Sequence, residues 1–293
     1  MQKNIKDSPR NNEKLGLSDG DLANRPTSFS KTSFEGQVVL ISGAAGGLGR
    51  ATAWLLGRLG AKLILVGRDQ SKLENLADAL RAKDIAAEAI ALDIRDSSQI
   101  NSLFEVIKTK YGNLDLLINS AGGQFPMPAT EISENGWNAV INTNLTGTWL
   151  MMQAAARFWK NQDLPGSIVN IVVVTRQGLY GIAHSVAARA GVIGLSKNLS
   201  VEWAPLNIRV NCIAPGAIET EGWKVYSEEA YSKYSRSNPM MRNGNSWDIA
   251  EACAYLGSNA SNYITGEVLH VAGGGQNWGE TWTINKPEYF NND

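Results

Sequence analysis

The largely apolar stretch 37–41 runs straight into Ser42-Gly43-Ala44-Ala45-Gly46-Gly47-Leu48-Gly49, and a Gly- and Pro-free stretch rich in apolar residues, 50–56, follows. That order spells a strand, a tight turn and a helix. Glycines at 43, 47 and 49 let the backbone bend sharply and approach a ligand, while the free amides and positive dipole end of the next helix favour an anion. A pyrophosphate fits such a cradle, so a nucleotide is the first ligand to expect. Small-residue turns also join strands to helices without any ligand, and the rest of the chain has to decide.

Downstream, short β-branched runs at 62–66, 86–92, 114–119, 168–175, 208–214 and 267–271 alternate with helical patterns. Between the second and third strands, Leu73, Leu76, Ala77 and Leu80 recur at i, i+3, i+4, i+7, which buries one helix face. The alternation predicts an α/β fold: a single Rossmann-type, doubly wound parallel sheet with helices on both faces and ligands at the carboxyl ends of the strands. Residues 34–275 suffice for that dinucleotide-binding domain, and a chain of 293 residues needs no second core. Ahead of it, residues 1–33 are polar and are expected to be a flexible arm. The insertion 220–242 carries Trp223, Tyr226, Tyr231 and Tyr234 with Lys224, Lys233 and Arg236. It reads equally as a substrate lid over the crevice or as a surface hairpin packed on the core. The tail 276–293, with Trp278, Trp282, Tyr289 and Phe290, is too apolar for a loose end and is expected to dock on its own or a neighbouring subunit.

Charge and cysteine content exclude several classes. A formal net charge of −1 offers no long-range attraction to nucleic acid or to a membrane surface. Cys212 and Cys253 make neither a disulfide framework nor a metal cluster, and both read as reduced core residues. No apolar run has membrane-spanning length and the start lacks a secretory block, so the expected location is cytoplasmic. Asp7, Glu13, Asp19 and Asp21 argue against a mitochondrial presequence, and Asn291-Asn292-Asp293 is not the peroxisomal tripeptide.

Four further motifs follow the glycine turn in order. Asp93-Ile94 ends the third strand, Asn119-Ser120-Ala121-Gly122 ends the fourth, Asn144 lies in Asn142-Thr143-Asn144-Leu145-Thr146-Gly147, and Pro215-Gly216 follows the sixth. Together with the turn they resemble the short-chain dehydrogenase/reductase family over about residues 34–275. The resemblance implies a seven-stranded sheet, a nicotinamide cofactor, a small-molecule substrate, and a homo-oligomer, dimer or tetramer, built on the two long helices after strands four and five. By the same resemblance, Gly43, Ala45, Gly47, Leu48 and Gly49 meet the pyrophosphate, and Asp93 and Ile94 the adenine. Asn119, Ala121 and Gly122 flank the adenosine side; Pro215, Gly216 and Ile218 line the cofactor, with Thr220 on the carboxamide. Ser120 departs from the family's usual second Asn.

The end of the second strand, Val66-Gly67-Arg68-Asp69, bears on which nicotinamide cofactor binds. A carboxylate there bonds the ribose 2′-hydroxyl and repels a phosphate, whereas an Arg accepts the phosphate through its fork. Gly67 stands where NAD-preferring relatives tend to place the acid, and Arg68 where NADP-preferring ones place the base. Asp69 is the counter-evidence, since it offers Arg68 a simple surface partner. The reading is NADP ahead of NAD.

Most of the family uses a Tyr, a Lys four residues later, a Ser on the fifth strand and an Asn. Only Asn144 matches. Ala190-Gly191-Val192 aligns Ser185 with the Tyr and Arg189 with the Lys, and Val172 and Val173 stand where the Ser belongs. The segment 184–192 resembles the trans-2-enoyl-CoA reductase branch; the related dienoyl reductases keep the Lys and take a Tyr from the fifth strand, where this chain has Val174. Ser185 and Arg189 are both poor acids for reducing a ketone. An enolate formed from an enoyl thioester needs hydrogen-bond donors at oxygen, which Asn144, Ser185 or Thr175 can supply, and can take its proton at carbon from water. The expectation is therefore an NADP-dependent enoyl-thioester reductase, with Arg189 on the nicotinamide ribose and Arg176, Lys224, Lys233 and Arg236 as candidates for CoA phosphates. Tyr180 becomes an acid if its loop folds over the nicotinamide, which would suit a carbonyl or alcohol oxidoreductase. A cofactor-binding sensor or assembly subunit without catalysis is the alternative from another class. His184 reads as a helix-start hydrogen-bonding residue and His270 as structural.

Overall fold

The computed structural model describes residues 15–175, 178–279 and 283–290. Arg176 and Trp282 lie outside the described residues, as does the Tyr289 side chain. Strands β1 Val38–Ser42, β2 Lys62–Gly67, β3 Ala87–Ala91, β4 Leu116–Asn119, β5 Gly166–Ile171, β6 Ile208–Pro215 and β9 Val268–Val271 form one seven-stranded sheet in the order β3-β2-β1-β4-β5-β6-β9. Every pairing is parallel. A small pair, β7 Ile218–Glu219 with β8 Gly244–Asn245, lies apart from it.

The near-continuous apolar runs of β1 and β2 follow from burial on both faces. Alternate residues of β1 feed opposite cores. Val39 and Ile41 join one with helices α2 Gly47–Arg58, α3 Gln70–Arg81 and α9 Ser246–Gly257. Val38 and Leu40 join the other with α4 Ser97–Lys110, α6 Thr148–Gln162 and α7 Ala183–Glu202. This is the doubly wound sheet that the sequence pattern predicts. Strand order reverses beside β1, where β4 is its neighbour on the far side from β2, and that reversal opens a crevice at the carboxyl ends.

Two expectations need correction. The fifth strand was expected over 168–175 but ends at Ile171, although the Val172 amide still donates to the Ile213 carbonyl at 2.8 Å. Its valines look like strand because the surface they line is apolar. The described part of the arm, residues 15–33, does not trail free of the domain but packs on it. Helix α1 Asp19–Asn24 begins with a capping box between Ser18 and Asp21, and Leu22 is 1% exposed in the core under α2. Asp19 accepts hydrogen bonds from Arg50 Nε and Trp54 Nε1, each at 2.6 Å, and Trp247 Nε1 donates to the Pro26 carbonyl at 3.1 Å. The polar composition that suggested disorder is spent on caps and pairs. In the tail, Trp278 and Phe290 pack on each other, with ring centroids 5.2 Å apart.

Candidate active site

The glycine turn is held open by backbone contact. Gly43 has φ of +69°, and a Cβ on it would sit 2.6 Å from the Ala121 backbone nitrogen. A Cβ on Gly49 would strike the Gly43 carbonyl, and one on Gly47 would lie 2.8 Å from Thr220 Cβ. Helix α2 starts from Gly46, which carries no side-chain cap, so no cap side chain claims its first amides. Crowded glycines and uncapped amides together fit a pyrophosphate.

At the end of β2, Arg68 is exposed. Asp69 is engaged elsewhere: its carboxylate accepts from the Lys72 amide at 3.1 Å to cap α3 and lies 3.6 Å from Lys72 Nζ. Arg95 hydrogen-bonds Asp93 and, with a smaller contribution from the Arg68 charge, holds its carboxyl below the usual range. Ile94 packs against Gly147, where a Cβ would be 2.8 Å from it.

Beneath the crevice runs a polar row. Ser42, Asn119, Asn170 and Cys212 are in register across β1, β4, β5 and β6. Ser42 Oγ donates to Asn119 Oδ1 (3.3 Å), Asn119 Nδ2 to Asn170 Oδ1 (2.8 Å), and Asn170 Nδ2 to Ser196 Oγ of α7 (2.9 Å). Cys212 Sγ lies 3.2 Å from the same Ser196 Oγ, and its thiol is pushed up to about 11 by burial. The Asn119 side chain is thus committed inside the protein and fixes the strand ends. An Asn within the apolar run of β5 was the available signal for this row, because buried amides must be paired.

Asn144 sits in a π-helical segment, Asn142–Gly147, between α5 Glu134–Ile141 and α6. Such segments often mark functional sites. Its side chain clamps the loop after β4: Oδ1 accepts from the Gly123 amide and Nδ2 donates to the Gly123 carbonyl, both at 3.0 Å. Nδ2 also approaches Ser185 Oγ at 3.5 Å. Asn144 therefore positions its neighbours.

Helix α7 brings Ser185 and Arg189 to the same place. Arg189 is 8% exposed; Nη2 lies 3.4 Å from the Ala121 carbonyl, over Gly122, and Nη1 has no hydrogen-bond partner among the described residues. Burial lowers its pKa to about 10. His184 is buried, takes the Ser185 amide on Nδ1 at 2.8 Å and meets Phe125 edge-to-face at 4.5 Å. It is a helix-start hydrogen-bonding residue, as its position suggested.

These groups border a cavity of about 690 Å³. Gly122, Asn144, Ser185 and Arg189 line it on one side, Val172, Val173, Val174 and Ile182 on another, and Leu48, Pro215, Gly216, Ile218 and Thr220 toward the glycine turn. Residues 220–242, with helix α8 Glu228–Tyr231 and short helical turns on either side, supply Trp223, Val225, Tyr226 and Tyr234. Their rings interlock: Trp223 is 5.1 Å from Tyr234, and Tyr226 is 5.9 Å from Tyr234. Lys233 lies 3.2 Å from Glu229 in an exposed surface pair. Tyr180 borders the cavity but is 89% exposed, and Thr175 is not among the lining residues. Sequence reasoning passed over Gln124, whose Nε2 donates to the Tyr226 hydroxyl; the only available signal was its place just past the end of β4. Among the described lining residues there is no carboxylate, His or Lys.

A family model described as enoyl-(acyl carrier protein) reductase matches residues 43–276. A probable 2,4-dienoyl-CoA reductase of Bacillus subtilis is 36% identical over 245 residues, 82% of this chain and 96% of its own length. The 3-oxoacyl-(acyl-carrier-protein) reductase of Salmonella typhimurium is 37% identical over 243 residues, 83% of this chain and 98% of its own. A solved structure of gluconate 5-dehydrogenase from Burkholderia cenocepacia, in complex with NADP and tartrate, has a TM-score of 0.80 at 28% identity and covers 85% of this chain and 98% of its own. The chain belongs to the short-chain dehydrogenase/reductase family, whose members are oxidoreductases that bind a nicotinamide cofactor.

Proposed function

We propose that this chain uses NADPH to reduce the activated double bond of an enoyl thioester. One observation carries the reading: Ser185 and the buried Arg189 face a cavity whose described lining holds no carboxylate, His or Lys. Hydride addition to a ketone leaves an alkoxide that must be protonated at oxygen by an acid held beside it, and Ser185 and Arg189, standing on α7 at the positions where the family places its acid and its Lys, provide none there. Hydride addition to the β-carbon of an enoyl thioester leaves an enolate, which needs donors at its oxygen. Asn144 Nδ2 points at Ser185 Oγ, which leaves the Ser185 proton free for that oxygen. Arg189 has the unpartnered Nη1 to hold the ribose hydroxyls, and the bound nicotinamide supplies the hydride. The aromatic segment 220–242 acts as a lid over the acyl chain.

NADP is favoured over NAD because Arg68 is exposed at the end of β2 while Asp69 caps α3 and pairs with Lys72. The proposal includes a cytoplasmic homo-oligomer, dimer or tetramer on the family pattern, with no nucleic-acid or membrane partner. Among the described residues no helix is long and apolar enough to cross a membrane. Carbonyl reduction with Tyr180 as acid is the weaker reading, given that residue's 89% exposure. A sensor without catalysis is favoured only by the missing family Tyr, Lys and Ser. NADPH oxidation measured against panels of enoyl-CoA esters and ketones, beside calorimetric titration of NADPH and NADH, separates the three. Turnover of enoyl-CoA esters is expected; turnover of ketones alone sinks the reading, and tight NADPH binding with no turnover points to the sensor.

A further inference from the structure

With the family phenol absent from α7, the proton has to come from another wall of the cavity. Its titratable described residues are Arg189, Tyr180, Tyr226 and Tyr234. Arg189 is a guanidinium held by burial beside Ala121, and Tyr180 stands 89% exposed at the mouth. Tyr226 is half-buried on the inner side of the covering segment, its ring against Tyr234. Its oxygen accepts a hydrogen bond from Gln124 Nε2, on the loop that Asn144 clamps through Gly123. That direction matters. A phenol oxygen that already accepts a donor keeps its own proton free for a ligand, and the same donor supports the phenolate left after transfer.

We infer that Tyr226, delivered by the covering segment and fixed by Gln124, is the proton donor of the reaction. The inference rests on the enoyl-thioester reading above. Hydride adds to the β-carbon, the electron pair of the double bond moves onto the thioester as an enolate, and the Tyr226 proton passes to the α-carbon. The phenolate then takes a proton from water through the open mouth beside Tyr180. The acid that the family keeps on its helix stands here on the opposite wall.

The test compares the full-length chain with Tyr226→Phe and Gln124→Leu, using crotonyl-CoA and NADPH in normal and heavy water. Tyr226→Phe keeps the ring on Tyr234 and should lower kcat about 100-fold, the range of a lost general acid, with the NADPH dissociation constant within twofold of the unmodified chain. The unmodified chain should place deuterium on one face of the α-carbon, read by NMR of the product, and Tyr226→Phe should scramble it. Gln124→Leu should lower kcat less than Tyr226→Phe while keeping the deuterium on one face. Full turnover with one-faced labelling in Tyr226→Phe overturns the assignment alone. Failure of the unmodified chain to reduce crotonyl-CoA or any longer enoyl-CoA overturns the reductase reading and the assignment with it.

Discussion

Below the cavity, Ser42, Asn119, Asn170 and Cys212 lie side by side on adjacent strands and are joined by buried hydrogen bonds; above it, Trp223, Tyr226 and Tyr234 hang on short helical turns and hold one another mainly through their rings. The floor is fixed by backbone register, so its side chains have one arrangement. The wall depends on a few aromatic contacts, and such a segment can open locally without unfolding the sheet. Changes in the floor should therefore reach cofactor binding and stability, and changes in the wall should reach substrate.

The largest separation is expected at Arg189. An unpaired buried cation is costly, so Arg189→Met should keep or raise Tm while weakening NADPH about 100-fold, or about 2.7 kcal/mol, by calorimetry. The pH dependence has a definite sign. Burial lowers the pKa to about 10, well below its ordinary value, so between the two the folded chain binds fewer protons than the unfolded chain. The burial penalty is present below about pH 10 and is relieved as pH rises through it, while the charge offered to the cofactor is lost. NADPH affinity should fall above that pH in the unmodified chain and not in Arg189→Met. Affinity that stays level in the unmodified chain would remove Arg189 from the cofactor site.

Gly43→Ala comes next, since it places a methyl in a left-handed backbone position 2.6 Å from Ala121. A loss of about 2–4 kcal/mol in denaturant unfolding is expected, together with weaker cofactor binding. On the wall, Trp223→Ala should raise KM for long enoyl thioesters about tenfold with little change in Tm, because its partners lie on the same segment. A Tm loss as large as that of Gly43→Ala would show that the wall is core, and would erase the contrast. The smallest effect is assigned to Arg68→Ala, which should shrink the NADPH/NADH affinity ratio about tenfold. An unchanged ratio would take the 2′-phosphate away from Arg68.

The legibility of the sequence divides along the same line. The glycine turn, the strand ends and the helix periodicity were readable because backbone geometry and burial dictate those residue types locally. Val172 to Val174 were read as strand because an apolar cavity wall and an apolar strand have the same composition. Asn144 and Asn119 were placed at the site, yet their partners come from distant segments, so their roles as clamps could not be read. Thr175 and Tyr180 depend on how one loop is held, which nothing in local spacing specifies. Gln124 offers only its place just past the end of β4; its importance exists only once Tyr226 stands opposite.

The relatives are matched over 96–98% of their own lengths but take up 82–83% of this chain, so its ends reach past theirs. Residues 15–33 splint the outer face of α2: Arg58 Nη1 donates to the carbonyls of Leu22 (2.9 Å) and Arg25 (2.7 Å), and Asp19 ties down Arg50 in the turn of helix that leaves the glycine cradle. At its start, Gly16 passes so near that a methyl on it would lie 3.4 Å from Thr220 Cα, where the aromatic wall begins. A chain trimmed to the shared segment would lose more than an ornament: it would leave Leu22's seat empty and two arginines without their anchors. The arm therefore acts on the family domain as an outboard brace.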